Sequence, residues 1–357
     1  MPGNLFLQNV IAVIWDFDKT LIPGHMQEPL FRRYGVNPRE FWVEVNNLAE
    51  YYGEVEGIQV NRDTIYLNHL LTYVHEGRMP GLTNAVLREC GAEIEFFPGM
   101  PEFFDNLAHE IEDYHAFKRQ DIRVEHYIVS TGLRQMILGS KIAPYVEGVW
   151  GCEFVERPAA SRFMKTGLQH GMSIIEANKA GRRARPGGKG TGCITQVAYA
   201  IDNTTKTRAI FEINKGSNIE NIDVNALIKH EDRCVPFQNM LYIADGPSDV
   251  PVFSILNQQG GHTYGVYGRD SRVQFNQVKR LQEQGRIQSF SEADYQQGSQ
   301  AYLWITETVR EIAWRIVRNR QHAFTERISP PPVHLSEDEI DETEPHALQQ
   351  ETRRGSA

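Results

Sequence analysis

The stretch VIWDFDKTLIPG, residues 13–24, ends an apolar run with two carboxylates that lie one residue apart. The run, Val10–Trp15, shows no alternation of apolar and polar residues, which is typical of a strand buried on both faces in a parallel sheet. Asp16 and Asp18 follow it directly. In open α/β sheets, ligands bind beyond the carboxyl ends of the strands. Asp16 therefore lies where such a sheet is expected to carry its chemistry.

Two further apolar runs have the same pattern, and together with the first they predict the fold class. Residues 124–129 lead into Ser130, Met240–Ala244 leads into Asp245, and a fourth strand is predicted from His262. Helical segments separate these strands. Such alternation indicates an α/β fold with a Rossmann-like, mainly parallel sheet.

The chain is predicted to consist of a core, an inserted helical cap and a tail. Residues 1–23 and 97–325 form the α/β core, which contains an irregular, glycine-rich and basic segment at about 156–192. Residues 24–96 form the cap, because they carry helix start signals and helical periodicity. Residues 326–357 are polar, acidic and proline-bearing, which predicts a disordered tail.

Capping residues and periodicity predict the main helices. Asn37 is a suitable N-cap, because Pro38 and Glu40 follow it at the first and third positions. The remaining predicted helices cover residues 62–76 and 83–90, begin at Pro101, and cover 301–319. One further strand is predicted within residues 193–202, where apolar and polar residues alternate.

The composition argues against nucleic acid and membrane as partners. Of 357 residues, 41% are hydrophobic and 23% are charged, with a net charge of −9. A non-specific nucleic-acid binder would be basic. No apolar run is long enough to span a membrane, and the apolar N-terminus lacks the basic flank of a signal peptide. We therefore expect a cytoplasmic protein, while the sequence does not indicate its oligomeric state.

The cysteines predict neither a metal site nor a redox motif. No two of the four cysteines form a CxxC pair, in which two residues separate the cysteines. Reduced thiols are therefore expected. The four are Cys90, Cys152, Cys193 and Cys234.

Asp16 and Asp18 are the candidate reactive groups. In an extended chain, residues i and i+2 point the same way, so both carboxylates can reach one site. One would be a nucleophile or metal ligand, and the other an acid and base. The alternative is a pair of solvated loop acids, which so short a pattern does not exclude by itself.

Four segments together resemble the motifs of the haloacid dehalogenase (HAD) superfamily, in its phosphatase form. DFDKT, residues 16–20, is similar to the first motif, DxDx[TV], and Ser130 is similar to the second. TKTRAIFEINKG, residues 205–216, offers the lysine of the third motif, and ADGPSD, residues 244–249, is similar to the fourth. The segments stand in the expected order, and the resemblance covers about residues 10–270.

Two lysines of the third segment, Lys206 and Lys215, compete for the motif position. On a helical wheel, Ile210 and Ile213 fall within about 40° of Lys206, whereas Lys215 falls about 180° away. Lys206 thus shares the apolar stripe, and Lys215 stands beside Gly216, where a cation suits the end of a helix. We choose Lys206. The alternative is a surface lysine that lays its stem over apolar neighbours.

The resemblance implies a Mg²⁺-dependent phosphatase that hydrolyses a small phosphomonoester through an aspartyl-phosphate intermediate. Asp16 would be the nucleophile, and Asp18 would protonate the leaving oxygen and later take a proton from water. The phosphoryl oxygens would be held by Ser130, Thr131, Gly132 and Lys206. The Mg²⁺ ligands would be Asp16, Asp18 through its backbone carbonyl, Asp245 and, as a ligand or an outer support, Asp249.

The insertion between the first two motifs resembles the C1-type cap of phosphoserine phosphatase-like members. Such caps exclude water and set specificity. Phosphoserine-specific members carry an acid early in the cap. Here the nearest acid, Glu28, is displaced and His25 stands nearer that place, which argues against phosphoserine. A phosphotransferase would share all of these residues, and a non-catalytic binding or regulatory protein would keep the fold, so the sequence leaves both alternatives open.

Overall fold

The structure, a computed structural model, describes residues 5–159 and 192–327. Contacts divide the chain into one compact unit over residues 1–316 and a second over 317–357. In the second unit the described part is the end of a long helix. Most of the predicted irregular segment and nearly all of the predicted tail lie outside the described residues.

Seven strands of the described part form one sheet with β1, Val10–Trp15, at its centre. The order is β4-β3-β2-β1-β5-β6-β7, and all neighbours are parallel except β3 and β4. This confirms the predicted α/β class, although the sequence did not predict β3 or β7. The other strands are β2 (Arg123–Leu133), β3 (Gly148–Val155), β4 (Gln196–Tyr199), β5 (Met240–Ala244), β6 (His262–Tyr267) and β7 (Ser289–Glu292).

The register of the central strands brings three strand ends together. Trp15, the last residue of β1, pairs with Ile128 on one side and with Ile243 on the other. The residues that follow these three therefore lie at the same edge of the sheet, because parallel neighbours end side by side.

Helices fill the insertion and cover the sheet. Between β1 and β2 lie α1 (Glu28–Tyr34), α2 (Pro38–Val55), α3 (Ile65–His75), α4 (Asn84–Gly91), α5 (Glu102–Glu112) and α6 (His115–Lys118). The later helices are α7 (Arg134–Gly139), α8 (Lys206–Lys215), α9 (Val250–Gln258), α10 (Arg272–Glu283) and α11 (Gln300–Arg327).

Two predicted helix starts are confirmed by their caps. The Asn37 side chain accepts hydrogen bonds from the backbone N–H groups of Arg39 and Glu40, at 2.9 and 3.4 Å. The Thr83 hydroxyl accepts one from Val86 at 3.1 Å at the start of α4. Each bond satisfies an N–H group that has no partner inside its helix.

The core beneath β1 is aromatic on one side. The Trp15 ring is fully buried and meets Phe103, Phe104 and Tyr295 edge-on, with ring centroids 5.9, 5.6 and 5.5 Å away. Aromatic pairs favour this geometry over flat stacking. On the other side, Ile14 belongs to a buried hydrophobic cluster, aliphatic and aromatic, that includes residues of α8.

The last helix of the insertion, α4, packs closely on α7, the helix after β2. A Cβ atom on Gly91 would lie 2.1 Å from the Met136 carbonyl oxygen, and one on Gly139 would lie 2.0 Å from the Arg88 carbonyl oxygen. Only glycine leaves room for this approach of two backbones. The insertion is therefore anchored to the core through α4.

No helix of the described residues is long and apolar enough to cross a membrane. The predicted cytoplasmic location stays a prediction. All four cysteines are free thiols.

Candidate active site

A cavity of about 320 Å³ opens at the carboxyl edge of the sheet, where β1, β2 and β5 end. A larger cavity of about 710 Å³ lies beside α11, and none of the predicted site residues lines it. The predicted site residues that line the smaller cavity are Asp16, Asp18, Ser130, Thr131, Gly132, Lys206 and Asp245. Asp249 lies behind this wall and is fully buried.

Lys206 joins two of the acids from different strand ends. Its Nζ donates hydrogen bonds to Asp16 Oδ1 at 2.8 Å and to Asp249 Oδ1 at 2.6 Å. Lys206 is 1% exposed, and Asp16 is 6% exposed. Because buried charges are tolerated only when they are paired, this contact fixes where the first residue of α8 must lie.

The competing lysine, Lys215, lies at the other end of α8. Its Nζ donates hydrogen bonds to the backbone carbonyls of Val224 and Ala226. It does not line the cavity. Of the two lysines, the one chosen on the helical wheel lines the cavity, and its role in the site stays a prediction.

Asp249 is held in place by three donors. Besides Lys206, the Tyr242 hydroxyl donates to its Oδ1 at 2.5 Å, and the Ser248 hydroxyl donates to its Oδ2 at 2.7 Å. Tyr242 is itself fully buried. A carboxylate with both oxygens engaged by protein donors is well suited to hold Lys206 against Asp16.

Crowding of acids shifts their protonation. Burial, together with the charges of Asp249 and Asp245, raises the pKa of Asp16 well above its usual range, despite the opposing effect of Lys206. Burial and Asp249 raise the pKa of Asp245 to about 7. Burial alone would lower the pKa of Lys206, but the charges of Asp16 and Asp249 outweigh burial and raise it. Lys206 is thus cationic. Asp16 and Asp245 need further positive charge nearby to ionise fully.

Three of these acids form a candidate metal site. Asp16, Asp245 and Asp249 each offer a carboxylate oxygen, and these oxygens lie within 4.8 Å of one another. Oxygen donors of this kind suit Mg²⁺. Burial and neighbouring acids raise the pKa values of Asp16 and Asp245, and a cation bound there would offset this repulsion.

Asp18 occupies a more open position than Asp16. Its Oδ1 accepts a 3.0 Å hydrogen bond from the backbone N–H of Met26, and its Oδ2 lies 3.4 Å from His25 Nδ1. The Asp18 side chain is 22% exposed. These contacts orient the carboxylate from the start of the insertion and leave it access to the cavity.

The end of β2 is tied to the insertion. Within it, the Ser130 hydroxyl accepts a 3.0 Å hydrogen bond from the Gly132 N–H. The Tyr66 hydroxyl, on α3, donates to the Thr131 carbonyl oxygen at 2.7 Å. The Met26 sulfur also lies 3.0 Å from the Leu133 nitrogen. Residues of the insertion therefore support the last residues of this strand.

Several residues of the cavity wall were not selected from the sequence. Trp42 and Tyr66 are among them, and aromatic residues at helical spacing usually pack in a core. No sequence signal distinguishes them, since the part of each ring that faces the cavity depends on how the insertion packs. The unselected wall residues are Lys19, His25, Gln27, Trp42, Asp63, Tyr66, Gly246, Pro247, Ser248 and Gln277.

No known protein-family model matches this chain. An uncharacterized protein of Borreliella burgdorferi is 40% identical over 306 residues, which are 85% of this chain and 97% of that protein.

Solved structures with a similar fold include a HAD-family hydrolase from Salmonella enterica serovar Typhi, at 12% identity and a TM-score of 0.43 over 79% of this chain and 66% of that one. A phosphoserine phosphatase in a phospho-aspartyl analogue form has 14% identity and a TM-score of 0.40 over 79% and 93%. A probable phosphoserine phosphatase from Vibrio cholerae has 11% identity and a TM-score of 0.42 over 87% and 68%. Similarities this low do not transfer an activity.

The parallel sheet and the acids and lysine at its carboxyl edge define the class of protein. It is an α/β protein in which residues of the four segments singled out in the sequence line one cavity. The chain belongs to the same protein family as the uncharacterized Borreliella burgdorferi protein.

Proposed function

We propose that the protein is a Mg²⁺-dependent phosphatase that hydrolyses a small phosphomonoester through an aspartyl-phosphate. One observation carries the proposal. A buried lysine links Asp16 to Asp249 at the base of a cavity whose walls also carry Asp18 and Ser130. The alternative is that Asp16 and Asp18 are solvated acids of a loop. Such a pair would not include a carboxylate buried against a lysine from a distant helix.

In the proposed reaction, Asp16 attacks the phosphorus atom and the bond to the leaving oxygen breaks. Its Oδ1 accepts the hydrogen bond from Lys206, so Oδ2 is the nucleophilic atom. Asp18 gives a proton to the leaving oxygen. It then takes a proton from the water that cleaves the aspartyl-phosphate and regenerates Asp16.

The phosphoryl oxygens need donors, because their charge is what the transition state must stabilise. Ser130 provides a hydroxyl, Thr131 and Gly132 provide backbone N–H groups, and Lys206 provides a cation. Lys206 is also kept at a fixed distance from Asp16 by Asp249. Lys206 would thus align the bound phosphoryl group with the nucleophile, Asp16.

Asp16, Asp245 and the backbone carbonyl of Asp18 would hold Mg²⁺, with Asp249 as an outer support through Lys206 and Tyr242. When bound, the ion offsets the charge of the acids and of the phosphoryl group.

The test is phosphate release from p-nitrophenyl phosphate and from a panel of metabolite phosphomonoesters, with Mg²⁺ and with a chelator. We expect metal-dependent release by the wild type and none by Asp16→Asn. The variant must unfold cooperatively in urea, so that loss of turnover is not loss of fold. Unchanged hydrolysis by folded Asp16→Asn would refute the mechanism.

A further inference from the structure

The part of the cavity wall that the insertion contributes is aromatic. The rings of His25 and Trp42 lie 5.2 Å apart between centroids, and those of Trp42 and Tyr66 lie 5.8 Å apart, each pair tilted rather than stacked. All three residues line the cavity. The Tyr66 hydroxyl is already bonded to the Thr131 carbonyl oxygen.

The same wall carries an acid and, among the described residues, no lysine or arginine. Asp63, just before α3, lines the cavity, and its Oδ2 accepts only a long hydrogen bond, 3.4 Å, from the Asn203 N–H. The described basic side chains that line the cavity, histidine aside, are Lys19 and Lys206. Lys206 is engaged by two acids, and Lys19 lies close enough to Asp245 to lower the pKa of that acid.

We infer that the substrate is the phosphate ester of a small amino alcohol, whose leaving group is cationic and carries no carboxylate. This inference rests on the proposed phosphatase function. Faces of Trp and Tyr rings attract ammonium groups, and a nearby carboxylate adds to the attraction. A leaving group with its own carboxylate, as in phosphoserine, would meet Asp63, and the lysines among the described lining residues, Lys19 and Lys206, lie near Asp245 and Asp16 instead.

The size of the cavity agrees with a small ester. At about 320 Å³ it lies at the lower end of the range of small-molecule sites, about 300–1,000 Å³. The carboxylates that line it are Asp16, Asp18, Asp63 and Asp245, against two lysines. Once a dianionic phosphate and Mg²⁺ are bound, the cavity still favours a cation on the leaving group.

The experiment compares two esters that differ only in charge. Phosphocholine carries a quaternary ammonium, and 3,3-dimethylbutyl phosphate has the same shape with a neutral carbon in place of nitrogen. We expect kcat/KM of the full-length protein to be about tenfold or more higher for phosphocholine. Phosphoethanolamine should share this preference, and phosphoserine should not.

Two matched variants test which acid causes the preference for the cationic ester. Asp63→Asn should reduce the ratio of the two kcat/KM values toward one, by lowering turnover of the cationic ester more than that of the neutral one. Glu28→Gln removes the same charge from the same insertion, but Glu28 lines a neighbouring surface pocket rather than the cavity. It should leave the ratio unchanged, and a loss of preference in Glu28→Gln but not in Asp63→Asn would overturn the assignment.

A binding measurement makes the result independent of turnover. Titration calorimetry of Asp16→Asn with both esters should show tighter binding of phosphocholine. If p-nitrophenyl phosphate and both esters are hydrolysed and the charged ester has no advantage, the inference fails and the phosphatase stands. If folded protein with Mg²⁺ hydrolyses no ester, the proposed function fails, and the inference with it.

Discussion

The Tyr66 hydroxyl of the insertion donates a 2.7 Å hydrogen bond to the backbone carbonyl of Thr131, near the end of β2. Tyr66 is 5% exposed. The bond therefore joins the cavity wall of the insertion to the residues of β2 that are proposed to bind phosphate. Movement of α3 away from the sheet would require this bond to break, which couples the position of the insertion to the shape of the site.

Replacing this tyrosine should weaken both fold and turnover. Tyr66→Phe keeps the ring and removes one hydrogen bond, so we expect a loss of about 1 kcal/mol in the free energy of unfolding. We also expect a lower kcat/KM for any ester that is hydrolysed, because Thr131 loses a support. Urea denaturation and steady-state kinetics measure the two effects. Tyr51→Phe, at an exposed position on α2, is the control and should change neither.

Removing Lys206 should lower the free energy of unfolding by an amount that depends on pH. Lys206→Met leaves Asp16 and Asp249 buried without their cation, and breaking a buried pair costs about 3–5 kcal/mol. The cost should be larger at pH 8 than at pH 5, because an acid that has lost its cation can take up a proton at lower pH. Urea unfolding at both pH values measures it.

The control for this prediction lies on the same helix. Lys215→Met loses hydrogen bonds to two backbone carbonyls and no acid partner, so its smaller cost should not change between pH 5 and 8. Phosphate release should survive in Lys215→Met and vanish in Lys206→Met. Equal costs in the two variants at pH 8 would contradict the pairing of Lys206 with the acids.

Acid should destabilise the fold through His126. The ring is 4% exposed, and burial lowers its pKa to about 3. Trp15 Nε1 donates to its Nδ1 at 3.2 Å, so the neutral ring carries its proton on Nε2. Between the unfolded value of about 6.5 and the folded value, the unfolded chain binds the extra proton. Stability from this group is therefore present above pH 6.5 and is lost as pH falls toward 3, by up to about 1.4 kcal/mol per unit.

Comparison of two histidine variants isolates this effect from other buried groups. His126→Gln should be less stable than wild type at pH 7, since it loses aromatic contacts such as that with Phe104. Its free energy of unfolding should nevertheless fall less steeply from pH 6.5 to 4. His75→Gln, at an exposed position, should keep the wild-type slope. An unaltered slope in His126→Gln would show that another group governs acid unfolding.

Two glycine substitutions should have opposite signs. Gly91→Ala would place a Cβ atom 2.1 Å from a backbone oxygen of α7, so the helices must separate and we expect a loss of roughly 1–3 kcal/mol. Gly53→Ala lies within α2 with no atom within 4 Å of the added Cβ, and it should stabilise by about 0.5–1 kcal/mol. Chemical denaturation of both variants measures the difference. A neutral Gly91→Ala would mean that α4 is not anchored as tightly as its backbone contacts indicate.

The sequence alone determined the strands next to the site and the residues at their ends. β1 and β5 are continuous apolar runs because both of their faces are buried, and such runs are visible without a structure. The choice of Lys206 over Lys215 also needed only helical periodicity. By contrast, β7 has the sequence SFSE at an edge of the sheet, where one neighbour is missing and burial is partial, so no apolar run marks it.

Only the tertiary structure decided which side chains of the insertion face the cavity. Trp42, Tyr66 and Asp63 have nothing in their local sequence that separates them from core aromatics and surface acids. Their placement depends on contacts between distant segments, such as Tyr66 with Thr131 and Asp63 with Asn203. Periodicity and hydropathy report how a segment meets solvent and core over a few residues. Periodicity and hydropathy do not report which distant segment a residue contacts. The cavity wall that is proposed to select the substrate is formed by such contacts.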